Sequence, residues 1–99
     1  MSRRIVRIFV EGQVQRVGYR VFVAREAGRL HLPGWVRNRR DGSVETVVAG
    51  ENDVIEDFLR LARRGPSTAR IDSHRIEEAD EAALREGGGE QGFVAAPEI

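Results

Sequence analysis

The feature that most constrains this chain is the order in which its apolar residues change period. From Arg4 to Glu11 they alternate, with Val6, Ile8 and Val10 on one side and Ile5 and Phe9 on the other, as a strand requires. From Tyr19 to Leu30 they recur at Tyr19, Val23, Ala27 and Leu30, a helical stripe with Arg25 and Arg29 off it. Leu32-Pro33-Gly34 breaks the helix. Gly34–Arg39 then reads as a second strand, Asp41-Gly42 as a hairpin turn and Ser43–Ala49 as a third strand. Asn52 is placed to cap a second helix, whose stripe is Val54, Ile55, Phe58, Leu59 and Ala62 and which a Glu56–Arg60 pair supports. Gly65-Pro66 ends it. Ala69–Glu77 alternates as a fourth strand, Ala79–Arg85 favours helix, and a short strand is expected at Phe93–Ala95 after a glycine-rich loop.

The order β-α-β-β-α-β is that of the ferredoxin-like split βαβ arrangement. It predicts an α+β fold: a four-stranded antiparallel sheet with two helices on one face and a short fifth strand. The 99 residues suit a single domain, 1–99, in which the acidic, glycine-rich segment at about 79–91 is expected to be flexible.

Composition narrows the chemistry. There is no cysteine, which excludes disulfides, thiolate nucleophiles and cysteine-based zinc sites. His31 and His74 are too few for a metal site without carboxylates, so no metal or cofactor is expected. The apolar runs fall far short of the roughly 20 residues that span a bilayer, and no signal-peptide pattern opens the chain, which points to the cytoplasm. All 16 basic residues are arginine, and the zero net charge hides an asymmetry. Residues 1–40 hold ten arginines against two acids, and residues 41–99 six against fourteen. An anionic partner for the first half is one reading, and a solvated surface built with arginine is the other.

The segment Glu11-Gly-Gln-Val-Gln-Arg-Val-Gly-Tyr-Arg20 places Arg16, Gly18 and Arg20 where a strand gives way to a helix. A helix N-terminus after a tight turn presents unpaired N–H groups and a positive dipole, which suit an anion. Successive amides in such a turn can form a nest around phosphate. A cation in the first helical turn opposes the dipole, so Arg20 is poorly explained by helix stability and well explained by a bound anion. The nucleotide P-loop pattern fails here: five residues separate Gly12 from Gly18, Tyr19 holds the lysine place, and no Ser or Thr follows.

Val14-Gln-Arg-Val-Gly-Tyr-Arg20, followed by Gly34-Trp-Val-Arg-Asn-Arg-Arg-Asp-Gly-Ser-Val-Glu45, resembles the acylphosphatase family. Its members carry a VQGVGFR-type loop and a GWVRN-DG-VE strand, turn and strand. The resemblance runs from Ile5 to about Ile71 and resumes at Phe93. It implies hydrolysis of acyl phosphates to carboxylate and inorganic phosphate. It further implies that Arg20 binds the substrate phosphate, that Asn38 positions the attacking water, and that the backbone amides of Gln15, Arg16, Val17, Gly18 and Tyr19 form the phosphate loop.

Three residues depart from the family pattern. Arg16 and His31 stand where glycine is usual, and Tyr19 where phenylalanine is usual. If position 16 needs positive φ, arginine there is expected to carry about 1–2 kcal/mol of strain and to distort the cradle; if not, Arg16 only adds positive potential at the mouth. The expected partner is a small acyl phosphate, with no nucleic acid or membrane, and the expected state is a monomer. Two other readings of the same fold are an RNA-binding module and a phosphate-binding domain without turnover. The first lacks paired exposed aromatics, since Phe9 and Trp35 offer at most one. Arg37, Arg39 and Arg40 read as solvated charges on a strand edge.

Overall fold

Strand β1, Arg3–Gln13, pairs antiparallel with two strands distant in sequence, β3 (Val44–Glu51) and β4 (Arg70–Glu78). Strand β2, Gly34–Asn38, pairs antiparallel with β3, and the short β5, Phe93–Ala95, lies parallel to β2. The sheet order is therefore β4-β1-β3-β2-β5. These elements belong to a computed structural model that describes residues 3–99. The antiparallel four-stranded sheet and the short fifth strand are present as expected, and the parallel β5 makes the whole sheet mixed.

Helices α1 (Tyr19–Arg29) and α2 (Asn52–Arg64) cover one face. At 11 and 13 residues they are marginal as isolated helices, so packing holds them. Tyr19, Phe22, Val23 and Ala27 of α1 join Ile55, Phe58, Leu59 and Ala62 of α2 over Val6, Ile8, Val10, Val36, Val44 and Val48 of the sheet. The alternation in β1 fixes which face this is. One detail of α2 differs from expectation: its N-cap is Glu51, without a side-chain cap, and the Asn52 Oδ1 instead accepts from Arg4 Nη1 at 2.9 Å. The Glu56–Arg60 pair also gives way. Glu56 takes Arg4 at 2.7 Å, and Arg60 pairs with Asp57.

The opposite face carries a smaller core of Ile5, Trp35, Val47 and Ala49, covered by a third helix, α3 (Glu81–Glu86), through Ala83 and Leu84. The Trp35 indole N–H donates to the Ala83 carbonyl at 2.9 Å, so the residue is core, as its place in the strand suggests. Beside it lies a charged cluster. Glu45 is 1% exposed and accepts from Arg37 at 2.8 Å, from Arg39 at 3.1 Å and from Arg7. Arg7 and Arg37 also reach Glu86 at 3.2 Å each. Burial alone would raise the Glu45 carboxyl, but the hydrogen bonds from Arg37 and Arg7 hold it below the ordinary glutamate value.

Arg37 is thus not a solvated edge charge. The hairpin register sets it opposite Glu45, its guanidinium lies 4.6 Å from the Trp35 ring centroid, and α3 shields both. Arg39 is only part-exposed, its guanidinium on Glu45 at 3.1 Å and 5.3 Å from the Phe9 ring centroid, while Arg40 is exposed as expected.

Candidate active site

Gly12 begins the site. The register of β1 shifts between Glu11 and Gly12, a bulge that bends the strand end. Gly12 has φ 136°, and a Cβ there would lie 2.1 Å from the Arg70 carbonyl oxygen, so only glycine is accommodated. Val14, 1% exposed, pins the following loop to the core. Arg16 then adopts φ 64° and Gly18 φ 85°. Two left-handed residues separated by Val17 turn the chain back sharply, and α1 starts at once.

This geometry strips the loop of internal hydrogen bonds. The first helical bond runs from Phe22 N to Gly18 O at 3.0 Å. Among the described residues, none of the amides from Gln15 to Val21 donates to a protein acceptor. The N-terminus of α1 has no side-chain cap and no acid in its first turn. Arg20 stands there exposed, with no ion-pair partner among the described residues. Tyr19 turns the other way into the core. Its hydroxyl donates to the Ala62 carbonyl at 2.8 Å, and burial pushes its phenol well above the ordinary tyrosine value. The added hydroxyl that distinguishes tyrosine from phenylalanine is therefore satisfied by a carbonyl of α2's last turn.

Asn38 is the last residue of β2. Its Oδ1 is buried and makes no hydrogen bond among the described residues. An unpaired buried acceptor is rare in folded proteins, and at this place it is an open position for a donor such as water. The turn after it is rigid. Ser43 donates its amide and hydroxyl to Asp41 at 2.9 and 2.6 Å, and these bonds lower the Asp41 carboxyl below its ordinary value.

Two side chains tie the loop to its surroundings, and neither was visible as such in the sequence. The Gln15 carboxamide donates to the Arg39 and Ser43 carbonyls at 2.7 and 2.9 Å, which brings the loop against the strand end that carries Asn38. Thr68 Oγ1 donates to the Val17 carbonyl at 2.5 Å from the segment between α2 and β4. A bridging role for Gln15 depends on a partner more than twenty residues away, and no local pattern marks it. Among the described residues, no group of three His, Cys, Asp or Glu side chains is placed to hold a metal ion.

The acylphosphatase family model matches residues 6–92. The chain belongs to the acylphosphatase family. It is 48% identical over 90 residues to an acylphosphatase of Bradyrhizobium diazoefficiens, covering 89% of this chain and 91% of that one. Among solved structures, acylphosphatase from Bacillus subtilis superposes with a TM-score of 0.81 at 33% identity, covering 93% and 97% of the two chains. An acylphosphatase from Coxiella burnetii gives 0.79 at 30% identity over 94% and 92%. As an acylphosphatase the chain is a hydrolase of acyl phosphates, small molecules that it converts to carboxylate and inorganic phosphate. Among the described residues, no helix is long and apolar enough to cross a membrane.

Proposed function

We propose that the loop and the β2 end form the catalytic centre, with Arg20 and the backbone amides of Gln15, Arg16, Val17, Gly18 and Tyr19 holding the phosphoryl group and Asn38 orienting the attacking water. The observation that carries this reading is the run of amides from Gln15 to Val21 without protein acceptors, curled at a helix N-terminus beside an unpaired Arg20. The orphan Asn38 Oδ1 complements it, because a carboxamide oxygen accepts a water proton and aims the water lone pair without acting as a strong base.

The reaction needs little more. Water attacks phosphorus as the bond from phosphorus to the acyl oxygen breaks, and the bonding pair leaves on the carboxylate. The water proton ends on the product phosphate or in solvent. The parent acid has a pKa of about 4, so the leaving group departs unprotonated and no general acid is required. Charge in a loose phosphoryl transition state spreads over the equatorial oxygens, where preorganised amides and a guanidinium stabilise it. In this reading the enzyme works without metal, as a cytoplasmic monomer.

An RNA-binding role finds no support. Trp35 is buried, and Phe9 lies between Arg39 and Arg75, whose guanidinium carbons stand 5.3 and 4.4 Å from its ring centroid. Benzoyl phosphate hydrolysis in excess EDTA tests the site. Wild type is expected to turn over. Arg20→Ala should lose about 100-fold or more in kcat/KM and bind inorganic phosphate more weakly. Asn38→Ala should lose about 100-fold in kcat while inorganic phosphate still inhibits with an unchanged constant. Full activity in both variants would refute the assignment, and activity abolished by EDTA would refute metal independence.

A further inference from the structure

The two halves of the proposed centre come from separate elements: the cradle from the β1–α1 loop and Asn38 from β2. Among the described residues the loop's amides find no protein acceptor, so its own backbone does little to fix its distance from Asn38. Among the described residues, the side-chain hydrogen bonds to the loop are those of Gln15 and Thr68. Thr68 fastens the side near α2. Gln15 alone spans to the Asn38 side.

The geometry of that span is specific. Both N–H bonds of the Gln15 carboxamide are used, one on the Arg39 carbonyl at 2.7 Å and one on the Ser43 carbonyl at 2.9 Å. Those two oxygens already close the base of the hairpin, with Arg39 N donating to Ser43 O at 2.9 Å and Gly42 N to Arg39 O at 3.0 Å. Gln15 is the second donor on each. Arg39 directly follows Asn38, so the peptide that Gln15 grips is one residue from the orphan carboxamide. A shorter side chain cannot reach both carbonyls, and a carboxylate would face two acceptors with no proton to offer.

We infer that the Gln15 side chain is a positioning residue, which sets the distance and angle between the phosphate cradle and the water-orienting Asn38. Its backbone amide serves the cradle, and its side chain serves the alignment. The inference rests on the catalytic reading above. It makes a claim that reading does not: misalignment should damage the chemical step and spare phosphate binding.

The test uses full-length Gln15→Met, which keeps the length without donors, and Gln15→Asn, which keeps the amide but is one methylene shorter. Both are measured for benzoyl phosphate kinetics, competitive inhibition by inorganic phosphate and thermal midpoint, alone and combined with Asn38→Ala. The expected result is a fall in kcat of about tenfold or more, since small misplacements of reacting groups have effects of that size. The phosphate inhibition constant should stay within about twofold, and no further loss should appear in the Asn38→Ala background. Should one variant not fold, the other carries the test. Unchanged kcat, an equal loss of kcat and phosphate affinity, or full additivity with Asn38→Ala would overturn the inference. If Asn38→Ala alone leaves kcat intact, the catalytic reading fails and this inference with it; if Asn38→Ala is impaired and Gln15→Met is not, only this inference fails.

Discussion

Arg16 and His31 are non-glycine residues held at positive φ, 64° and 58°, in two different settings. His31 follows the C-terminus of α1. Its N–H reaches Gly28 O at 3.1 Å and the Leu32 N–H reaches Ala27 O at 2.9 Å, the paired bonds of a Schellman cap in which glycine is the usual residue. Arg16 sits in the loop between β1 and α1, the proposed phosphate cradle. Arginine takes the left-handed angle there, at a local strain of about 1–2 kcal/mol. Glycine at either position should stabilise by about 0.5–1 kcal/mol, the strain relieved less the added unfolded-state entropy. Thermal unfolding of His31→Gly and Arg16→Gly checks this. Kinetics should separate them. His31→Gly should leave hydrolysis unchanged, whereas Arg16→Gly should weaken inorganic phosphate inhibition a few-fold at low salt, with the difference vanishing near about 1 M, where charge is screened. An unchanged inhibition constant in Arg16→Gly at low salt would reduce Arg16 to a solvated residue.

Helix α3 shows what an element can be held by. With 6 residues it has no stability of its own, and Asp80 caps it by accepting from the Ala83 amide at 3.1 Å. Its anchor is Leu84, fully buried beside Trp35. At Gly87, just past its end, a Cβ would lie 2.3 Å from the indole, which explains the glycine there. The segment 79–91 is acidic and glycine-rich by composition, yet it roofs the second core and delivers Glu86 to Arg7 and Arg37. Leu84→Ala should therefore lower stability by about 2–4 kcal/mol. The loop and α1 lie on the other face, so the phosphate inhibition constant should not move. Loss of phosphate binding at a temperature where the variant remains folded would contradict this separation of faces.

At the scale of the molecule, the sheet separates the face that α1 and α2 cover from the face that α3 covers, and Glu45 is the buried acid of the second. Its carboxyl lies lower in the folded chain than the ordinary value of 4.5, so the ionised form favours folding. That contribution is complete above about pH 4.5 and disappears as pH falls through the lower folded value. Acid titration of stability should show this loss, and Glu45→Gln should flatten the curve below about pH 4.5. At neutral pH the same variant should be less stable by about 3 kcal/mol, because Arg37 and Arg7 keep only Glu86 and Arg39 keeps only a longer contact to Asp41. A pH profile identical to wild type would show that other carboxylates carry the acid response.

Much of this protein follows from local patterns. The change from period two to helical spacing determined six of the eight elements and their order, because side-chain direction repeats with backbone geometry. Gly18 followed by Arg20 at a strand-to-helix turn motivated the proposed anion site, because unpaired amides and an unfavourably placed cation meet there. The tertiary structure decided what depends on groups distant in sequence. Arg37 and Glu45 are buried because α3, some forty residues on, covers their face. The positive φ at Arg16 appears only in the folded loop between β1 and α1. Gln15 gains its second role only when the hairpin carbonyls of Arg39 and Ser43 come within reach of its amide. Periodicity is a property of neighbours along the chain, and alignment of a catalytic centre is a property of neighbours in space.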